Sequence, residues 1–250
     1  HARVPLLWLE FDQVHGATPP AGPCFHLCVD GGYPAPGDVR PVRAPEPAAQ
    51  TRLVHAGLER LLGHPLSTGV ARGLEACIEA VGPAGRLIHV SAMLTRTPLP
   101  LKLYGCLPAH DFPRYLRDIG WPGSLDDTRR WLERFITPET SDERLFFDLA
   151  FEERMTGSVG VVFSQPQLGH GSNTDPTRRV LLERLVAEGL CTPAKRDALL
   201  LWPGRSRVLH PTAPQHARLH RWLDIKLSHH PGRSLEAKAY LGLRPASSPF

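Results

Sequence analysis

Two stretches of the sequence decide the predicted fold: "LKLYGCL" at Leu101–Leu107 and "LEAKAYLGL" at Leu235–Leu243. Each alternates apolar and polar residues, the pattern of a β-strand with one face buried. Each also carries the motif Lys-x-Tyr in the same phase, formed by Lys102, Tyr104, Lys238 and Tyr240. Because residues two apart on a strand share a face, each strand directs an ammonium group and a phenol to one side.

Similar alternation elsewhere predicts that the strands come in antiparallel hairpins. Every connection between paired strands contains Gly or Pro, the residues that set turn geometry at strand ends. Four hairpins are predicted, and they begin near residues 6, 87, 145 and 222. Such a repeated unit, covered by helices on its outer face, indicates a curved sheet, either open or closed into a barrel; closure would remove exposed strand edges.

Helical patterns lie between the hairpins and also come in pairs, with apolar residues at spacings of three and four. The predicted pairs are Gln50–Leu62 with Thr68–Val81, Ala109–Ile119 with Ser124–Phe135, and Thr177–Glu188 with Thr192–Leu201. Ser206–Pro214 is predicted to be an irregular connection. The predicted fold class is α+β: an antiparallel β-barrel or strongly curved sheet of about eight strands surrounded by paired helices, in one domain over residues 1–250.

Composition excludes several classes of partner. The net charge of +4 is carried by scattered basic residues, which argues against nucleic-acid binding. No apolar run approaches about 20 residues, so no membrane partner is predicted. Five cysteines without a CxxC pair indicate free thiols in a reducing compartment. The sequence therefore predicts a cytoplasmic protein.

The polar side of the predicted sheet admits two interpretations. If helices cover one face, Lys102, Lys226 and Lys238 point either into a lumen or to solvent. In a lumen the ammonium groups repel one another unless an anion joins them, which suits a phosphate or diphosphate ligand. On an open antiparallel sheet the same residues form an ordinary wet face.

This layout, together with the two Lys-x-Tyr strands, resembles the ABBA (PT-barrel) prenyltransferases. In that family antiparallel hairpins line a barrel, paired helices form an outer ring, and Lys and Tyr from the strands bind a prenyl diphosphate. The resemblance implies a prenyltransferase that moves an allylic prenyl group from a prenyl diphosphate to an aromatic or peptide acceptor.

The resemblance also implies roles for particular residues. Five residues would bind the diphosphate: Lys102, Tyr104, Lys226, Lys238 and Tyr240. The tyrosine rings would also shield the allylic cation. Glu10, in "WLEFD", matches the glutamate that holds the acceptor, and it would take the proton released after attack. His26 and His89 are weaker candidates for that base.

No metal site is predicted from the sequence. The chain lacks an Asp-rich DDxxD-type motif, so the expected activity has no obligatory cofactor, and Mg²⁺ remains a possible accessory to the diphosphate. A competing hypothesis is a non-catalytic accessory protein that binds a peptide or another ligand on the same curved sheet. The low number of cations on the predicted polar face and the acidic third hairpin, with Asp148 and Glu152, favour this alternative.

Overall fold

The computed structural model describes residues 7–10, 24–29, 46–94, 99–136, 144–163, 176–209 and 216–245. Contacts within the chain define two compact units. The first contains residues 1–125 and 144–159, and the second contains residues 126–143 and 160–250. The single domain expected from the sequence stays a prediction.

The first unit is built on an antiparallel sheet whose strands pair in the order of the sequence. Its strands are β1 (Leu7–Glu10), β2 (Cys24–Cys28), β3 (Arg86–Ala92), β4 (Leu101–Pro108), β5 (Arg144–Phe151) and the start of β6 (Met155–Phe163). A tight turn joins β5 to β6, with the Glu152 N–H donating to the Arg154 carbonyl at 3.0 Å. Among the described strands β1 pairs on one side only, with β2, so the sheet of this unit is open at that edge.

Three helices pack on one face of this sheet: α1 (Pro47–Leu62), α2 (Thr68–Ala80) and α3 (Phe112–Asp118). Gly57 of α1 lies so close to Leu27 that a Cβ there would be 2.8 Å from it, and Gly73 of α2 lies equally close to Phe151. The rings of Tyr115 and Phe147 lie 5.1 Å apart. Described strand residues that face these helices, among them Leu103, Phe147 and Leu149, are buried and form the core of the unit.

A β-bulge interrupts the pairing of β3 with β4 between Leu87 and His89. The bulge changes the phase of the strand, so that both Leu87 and Val90 are buried although they lie three residues apart. The side-chain amide of Gln50, on α1, donates to the carbonyls of Val29 and Leu87 at 3.1 and 3.2 Å. This buried amide therefore satisfies backbone groups next to the bulge, where leaving them unpaired would be costly.

The second unit combines helices with a three-stranded arrangement. Its elements are α4 (Leu125–Phe135, from Asp126 onward), α5 (Pro176–Ala187), α6 (Pro193–Leu201), β7 (Gly204–Leu209), β8 (His216–His229) and β9 (Glu236–Pro245). Both β7 and β9 pair antiparallel with the long strand β8. The Thr192 hydroxyl caps α6 by accepting from the Lys195 N–H at 3.2 Å. Leu223, Ile225 and Leu227 alternate along β8 and are buried.

The predicted α+β class with antiparallel pairing is confirmed, and a helix covers most of each of the six predicted helical segments. The predicted pairs β1–β2, β3–β4 and β8–β9 are present with antiparallel register. One part of the prediction is wrong: residues 206–209, expected to begin an irregular connection, belong to β7, so the described residues contain nine strands where about eight were predicted. The rest of that connection, residues 210–214, lies outside the described residues. The strand was not recognised because it contains too few apolar residues to show an alternation, and its Arg205 and Arg207 are exposed.

Two further expectations can be compared with the described residues. All five cysteines are free thiols, as predicted, and four of them are buried. In the described part of the chain, no helix combines the length and the apolar character that crossing a bilayer requires.

Candidate functional site

The first unit has a polar face on the side of its sheet opposite the helices. Residues directly opposite one another on antiparallel strands share a face. One row of opposed residues contains His26, Ser91 and Lys102, and the adjacent row contains His89, Tyr104 and Asp148. Side chains from β2, β3, β4 and β5 therefore meet on one surface, which is called the polar face below.

An ion pair lies at the centre of the polar face. The Lys102 Nζ donates to Asp148 Oδ1 at 3.0 Å. The two side chains are only 16% and 5% exposed, so solvent screens their attraction less than it screens a surface pair. A lysine and a carboxylate in this setting stabilise each other's charged form, whereas either one alone would be costly to bury.

The ring of Tyr104 lies near the rings of two histidines. Its ring centroid is 5.7 Å from that of His26 and 6.3 Å from that of His89. The Nδ1 of His26 is 2.6 Å from Ser91 Oγ, a hydrogen bond that holds the imidazole in place. The polar face thus presents an aromatic ring, two imidazoles and an ion pair within a few residues of one another, a combination suited to acid–base chemistry beside an apolar or cationic group.

Glu10, the predicted catalytic residue, lies in β1 at the position opposite Cys24. Trp8, two residues earlier on the same strand, is opposite His26. The backbone of Glu10 is therefore two residues along the strand from the row that contains His26 and Lys102. The side chain of Glu10 lies outside the described residues. Its role stays a prediction.

The second unit contains the other predicted lysines and tyrosine. Lys226 of β8 and Lys238 of β9 are directly opposite each other, and the next pair on the same face is Asp224 with Tyr240. Lys226 is 4% exposed, whereas Lys238 is exposed and Tyr240 is 38% exposed. Like charges directly opposite on paired strands repel, so this arrangement favours a bound anion or a nearby carboxylate.

A tryptophan continues the same face of β8 and β9. Trp222 is opposite Gly242, and a Cβ added to Gly242 would lie 1.9 Å from the indole ring. The glycine therefore allows the indole to lie flat against the backbone of β9. The Trp222 carbonyl accepts a hydrogen bond from the Trp202 Nε1 at 2.9 Å, and the Arg221 guanidinium lies 5.5 Å from the Trp202 ring.

The predicted set of site residues thus falls into two groups. Lys102 and Tyr104 lie together in the first unit, and Lys226, Lys238 and Tyr240 lie together in the second. The sequence analysis did not predict that Ser91 forms a hydrogen bond with His26. It noted Asp148 only as an acidic residue where the resemblance implies a basic one, and not as the partner of Lys102. Alternation alone predicts which face a residue occupies, but only the register places Asp148 and Ser91 beside Lys102 and His26.

Other buried polar groups belong to the core rather than to the site. Burial raises the pKa of the Cys77 thiol to about 12, against a smaller opposing effect of its hydrogen bond with Tyr115. Burial also raises the pKa of Tyr115 well above its ordinary value, and its hydroxyl donates to the Cys77 carbonyl at 3.4 Å. In the part of the chain that the structure describes, no group of three or more His, Cys, Asp or Glu is arranged to hold a metal ion.

Comparisons with known proteins add no family assignment to this geometry. The chain matches no protein-family model, no curated protein and no solved structure.

Proposed function

We propose that the protein is a prenyltransferase, which moves an allylic prenyl group from a prenyl diphosphate to an aromatic or peptide acceptor. The observation that carries this proposal is the half-buried polar face of the first unit, where the Tyr104 ring lies near His26 and His89 and beside the Lys102–Asp148 ion pair. In the proposed enzyme the sheet curves so that its polar residues line a cavity, as in a PT-barrel.

The use of lysine in this chain supports the proposal independently. Only four of its 29 basic residues are lysines, and three of the four are Lys102, Lys226 and Lys238. Arginine serves almost everywhere else. The compact, strongly hydrated ammonium of lysine binds a phosphate as a point charge and fits where a planar guanidinium does not. Lysine is thus concentrated on the strands where the diphosphate is expected to bind.

The proposed reaction divides its work among these groups. The allylic C–O bond breaks, and its electron pair leaves with the diphosphate. Lys226, Lys238 and Tyr240 stabilise the negative charge that grows on the leaving oxygens, more strongly in the transition state than in the bound substrate. Lys102 helps to stabilise this negative charge only if the diphosphate displaces Asp148 from its ammonium group.

The carbocation then needs a shield and the acceptor needs a base. The ring of Tyr104 faces a cation with its negative π surface. An electron pair of the acceptor forms the new C–C bond, and the proton it loses passes to a nearby base, for which Glu10, His26 and His89 are candidates. The chemistry requires no metal, although Mg²⁺ could accompany the diphosphate.

The test is an assay of product and diphosphate release. The protein is incubated with dimethylallyl or geranyl diphosphate and a panel of indoles, phenols and peptides, and products are followed by mass spectrometry. We expect Lys226→Met and Lys238→Ala to lower kcat/KM by tenfold or more, since each removes a cation from the leaving group. Arg233→Ala, which removes an exposed cation from the turn between β8 and β9, is the matched control and should change it less than about twofold.

The role of Tyr104 can be separated from that of its hydroxyl. Tyr104→Phe keeps the ring and should retain most activity if shielding dominates, whereas Tyr104→Leu should lose it. Products that form at the normal rate in both lysine variants would overturn the assigned roles. The absence of any product or diphosphate release with every donor and acceptor would count against transfer itself.

The second candidate function, binding without catalysis, is supported by the charges beside the lysines. Asp148 neutralises Lys102, and Asp224 and Glu236 lie one pair away from the Lys226–Lys238 pair on either side. A face with balanced charge binds a diphosphate less strongly than a cluster of cations. Thermal unfolding with inorganic pyrophosphate discriminates the two functions, because a ligand that binds only the native state raises Tm. A rise that Lys238→Ala abolishes favours the transferase, and no rise at millimolar pyrophosphate favours the binding protein.

A further inference from the structure

The last strand of the second unit, β9, has a free edge. Among the described strands it pairs with β8 alone, through ten opposed residue pairs without a register shift. Native proteins usually protect such an edge by keeping it short, by interrupting it with a bulge, or by placing Pro or charged residues on it. The strand β9 has ten residues, its proline is Pro245 at the very end, and residues 239–243 carry no charge. The edge can therefore accept another strand.

Exposed apolar side chains are concentrated on this strand. The described part of the chain exposes five large hydrophobic residues, and three of them are Tyr240, Leu241 and Leu243, with 38%, 52% and 53% of their surface exposed. Because side chains alternate along a strand, the two leucines lie on one face of β9 and the tyrosine on the other. A strand added at this edge would remove apolar surface from water on both faces of the sheet.

A second copy of β9 is complementary to this edge. When two copies of a strand pair antiparallel about a two-fold axis perpendicular to the sheet, opposed residues lie on the same face. An axis through Tyr240 places Leu241 opposite Ala239 of the second copy. It also places Leu243 opposite Ala237 of that copy. Both alanines are half-buried, and each meets a large exposed leucine with a small side chain.

Charges favour the same register. This axis places Glu236 opposite position 244, which is an arginine in the sequence, and opposite charges at opposed positions attract. It places Lys238 opposite Gly242 of the second copy, where the Trp222 indole lies against the glycine, so the ammonium group comes beside an aromatic ring. Moving the axis by one residue, to position 241, would instead set Lys238 opposite Arg244, and two like charges would repel.

We propose that β9 is a dimerisation strand, which pairs antiparallel with β9 of a second copy of this chain about a two-fold axis at Tyr240. The pairing supplies about eight to ten backbone hydrogen bonds between the copies. A single pair of strands buries less surface than the roughly 1,600 Å² of a standard interface, so we expect a dissociation constant on the order of 10 µM. Dimerisation goes beyond the proposed transfer reaction and does not depend on it, because the backbone edge and the leucines have no part in the diphosphate set.

Sedimentation velocity of the full chain tests the association, at concentrations from about 1 to about 300 µM. We expect the protein to change from monomer to dimer over this range. Leu241→Lys places a charge next to the axis and should raise the dissociation constant about tenfold or more, as charges on an edge oppose pairing. Leu94→Lys makes the same change at an exposed leucine of the first unit and should leave the dissociation constant unchanged.

A charge reversal tests the opposed pairs. Glu236→Arg sets two basic residues against each other at both ends of the paired strands, and it should weaken the dimer about tenfold. The double variant Glu236→Arg with Arg244→Glu again opposes unlike charges and should recover most of the affinity. A structural effect of the first substitution would not be reversed by the second.

Disulfide trapping tests the register in a Cys191→Ser background, which removes the half-exposed thiol. Tyr240→Cys brings two thiols together across the axis, where the Cα atoms lie within the roughly 4.4–6.8 Å that a disulfide spans. We expect this variant to form a covalent dimer under mild oxidation. Ser234→Cys, at an exposed position before β9, is more than about 30 Å from its equivalent in this register. It should cross-link at least about tenfold more slowly.

Three results would each overturn the proposal. The first is a chain that stays monomeric up to about 300 µM. The second is a dimer whose affinity survives both Leu241→Lys and Glu236→Arg unchanged, since it would use another surface. The third is equal cross-linking of Tyr240→Cys and Ser234→Cys. Urea denaturation establishes that each variant is folded before its association is measured.

Discussion

The two Lys-x-Tyr strands carry the same motif in opposite surroundings. In the first unit the Lys102 side chain is 16% exposed and hydrogen-bonded to Asp148, and the half-buried Tyr104 ring lies near two histidine rings. In the second unit Lys238 is exposed, and Tyr240 is 38% exposed on the same strand. The first unit places its lysine and tyrosine inside a network of neighbouring side chains, whereas the second exposes Lys238 and Tyr240 to solvent.

This difference shows that a short motif fixes the direction of side chains but not their role. A paired, enclosed lysine chiefly orients its neighbours and preserves the local charge balance. An exposed lysine without a partner in the described residues can respond to an anion. The lysine of the same motif is therefore a paired, half-buried residue in one unit and an exposed cation in the other.

The largest expected contrast between the units concerns their thiols. Cys77 of the first unit is fully buried with its pKa raised to about 12, whereas Cys191 of the second is half-exposed. At pH 8 only roughly one Cys77 in ten thousand would be thiolate, the reactive form. We expect one thiol to react rapidly with Ellman's reagent in the folded protein, and Cys77 to react at least about a thousandfold more slowly. Cys191→Ser should abolish the rapid phase, and its persistence would contradict the contrast.

The next contrast concerns the paired lysine. Lys102→Ala leaves Asp148 buried without its ammonium partner, and we expect the free energy of unfolding to fall by about 3 kcal/mol. Urea denaturation measures the loss. The double variant Lys102→Met with Asp148→Leu should recover most of it, since no buried charge is then left alone. If the single and double variants lose the same free energy of unfolding, the loss does not come from leaving Asp148 without its ion-pair partner.

Glycines that follow the two motifs give a smaller contrast. A Cβ at Gly105 would lie 2.7 Å from the buried Phe147 ring and 2.9 Å from the Arg86 carbonyl, neither of which can move freely. We expect Gly105→Ala to cost about 2 kcal/mol by overpacking. At Gly242 the obstacle is the half-exposed Trp222 indole, which can rotate away, so Gly242→Ala should cost about 1 kcal/mol. Urea denaturation of the two variants side by side measures both costs. A larger loss of stability in Gly242→Ala than in Gly105→Ala would contradict the expectation.

The smallest effect on stability should come from Lys238. Because its side chain is exposed and makes no ion pair in the described part of the chain, we expect Lys238→Ala to change the free energy of unfolding by less than about 0.5 kcal/mol. The same variant should nevertheless weaken pyrophosphate binding. A loss of stability comparable to that of Lys102→Ala would remove the distinction between the two motifs.

The sequence predicted those strands in which apolar and polar residues alternate regularly. Alternation located β4 and β9 within a residue or two, and it placed Lys102 with Tyr104 and Lys238 with Tyr240 on common faces. It failed for β7, whose arginines and serine give no apolar period. The candidate site could be predicted only in part, because the partners of Lys102 depend on register. Nothing in "LFFDLAFE" alone indicates that Asp148 reaches a lysine 46 residues earlier.

The bulge in β3 has a consequence for the polar face. His89 and Ser91 face Tyr104 and Lys102 only because the strand gains one residue at this point. The amide that serves the neighbouring carbonyls comes from Gln50 of α1, on the opposite side of the sheet. Docking of that helix therefore fixes the registration of the strand, and an alteration in the helical layer can misalign imidazole and phenol groups that it never touches.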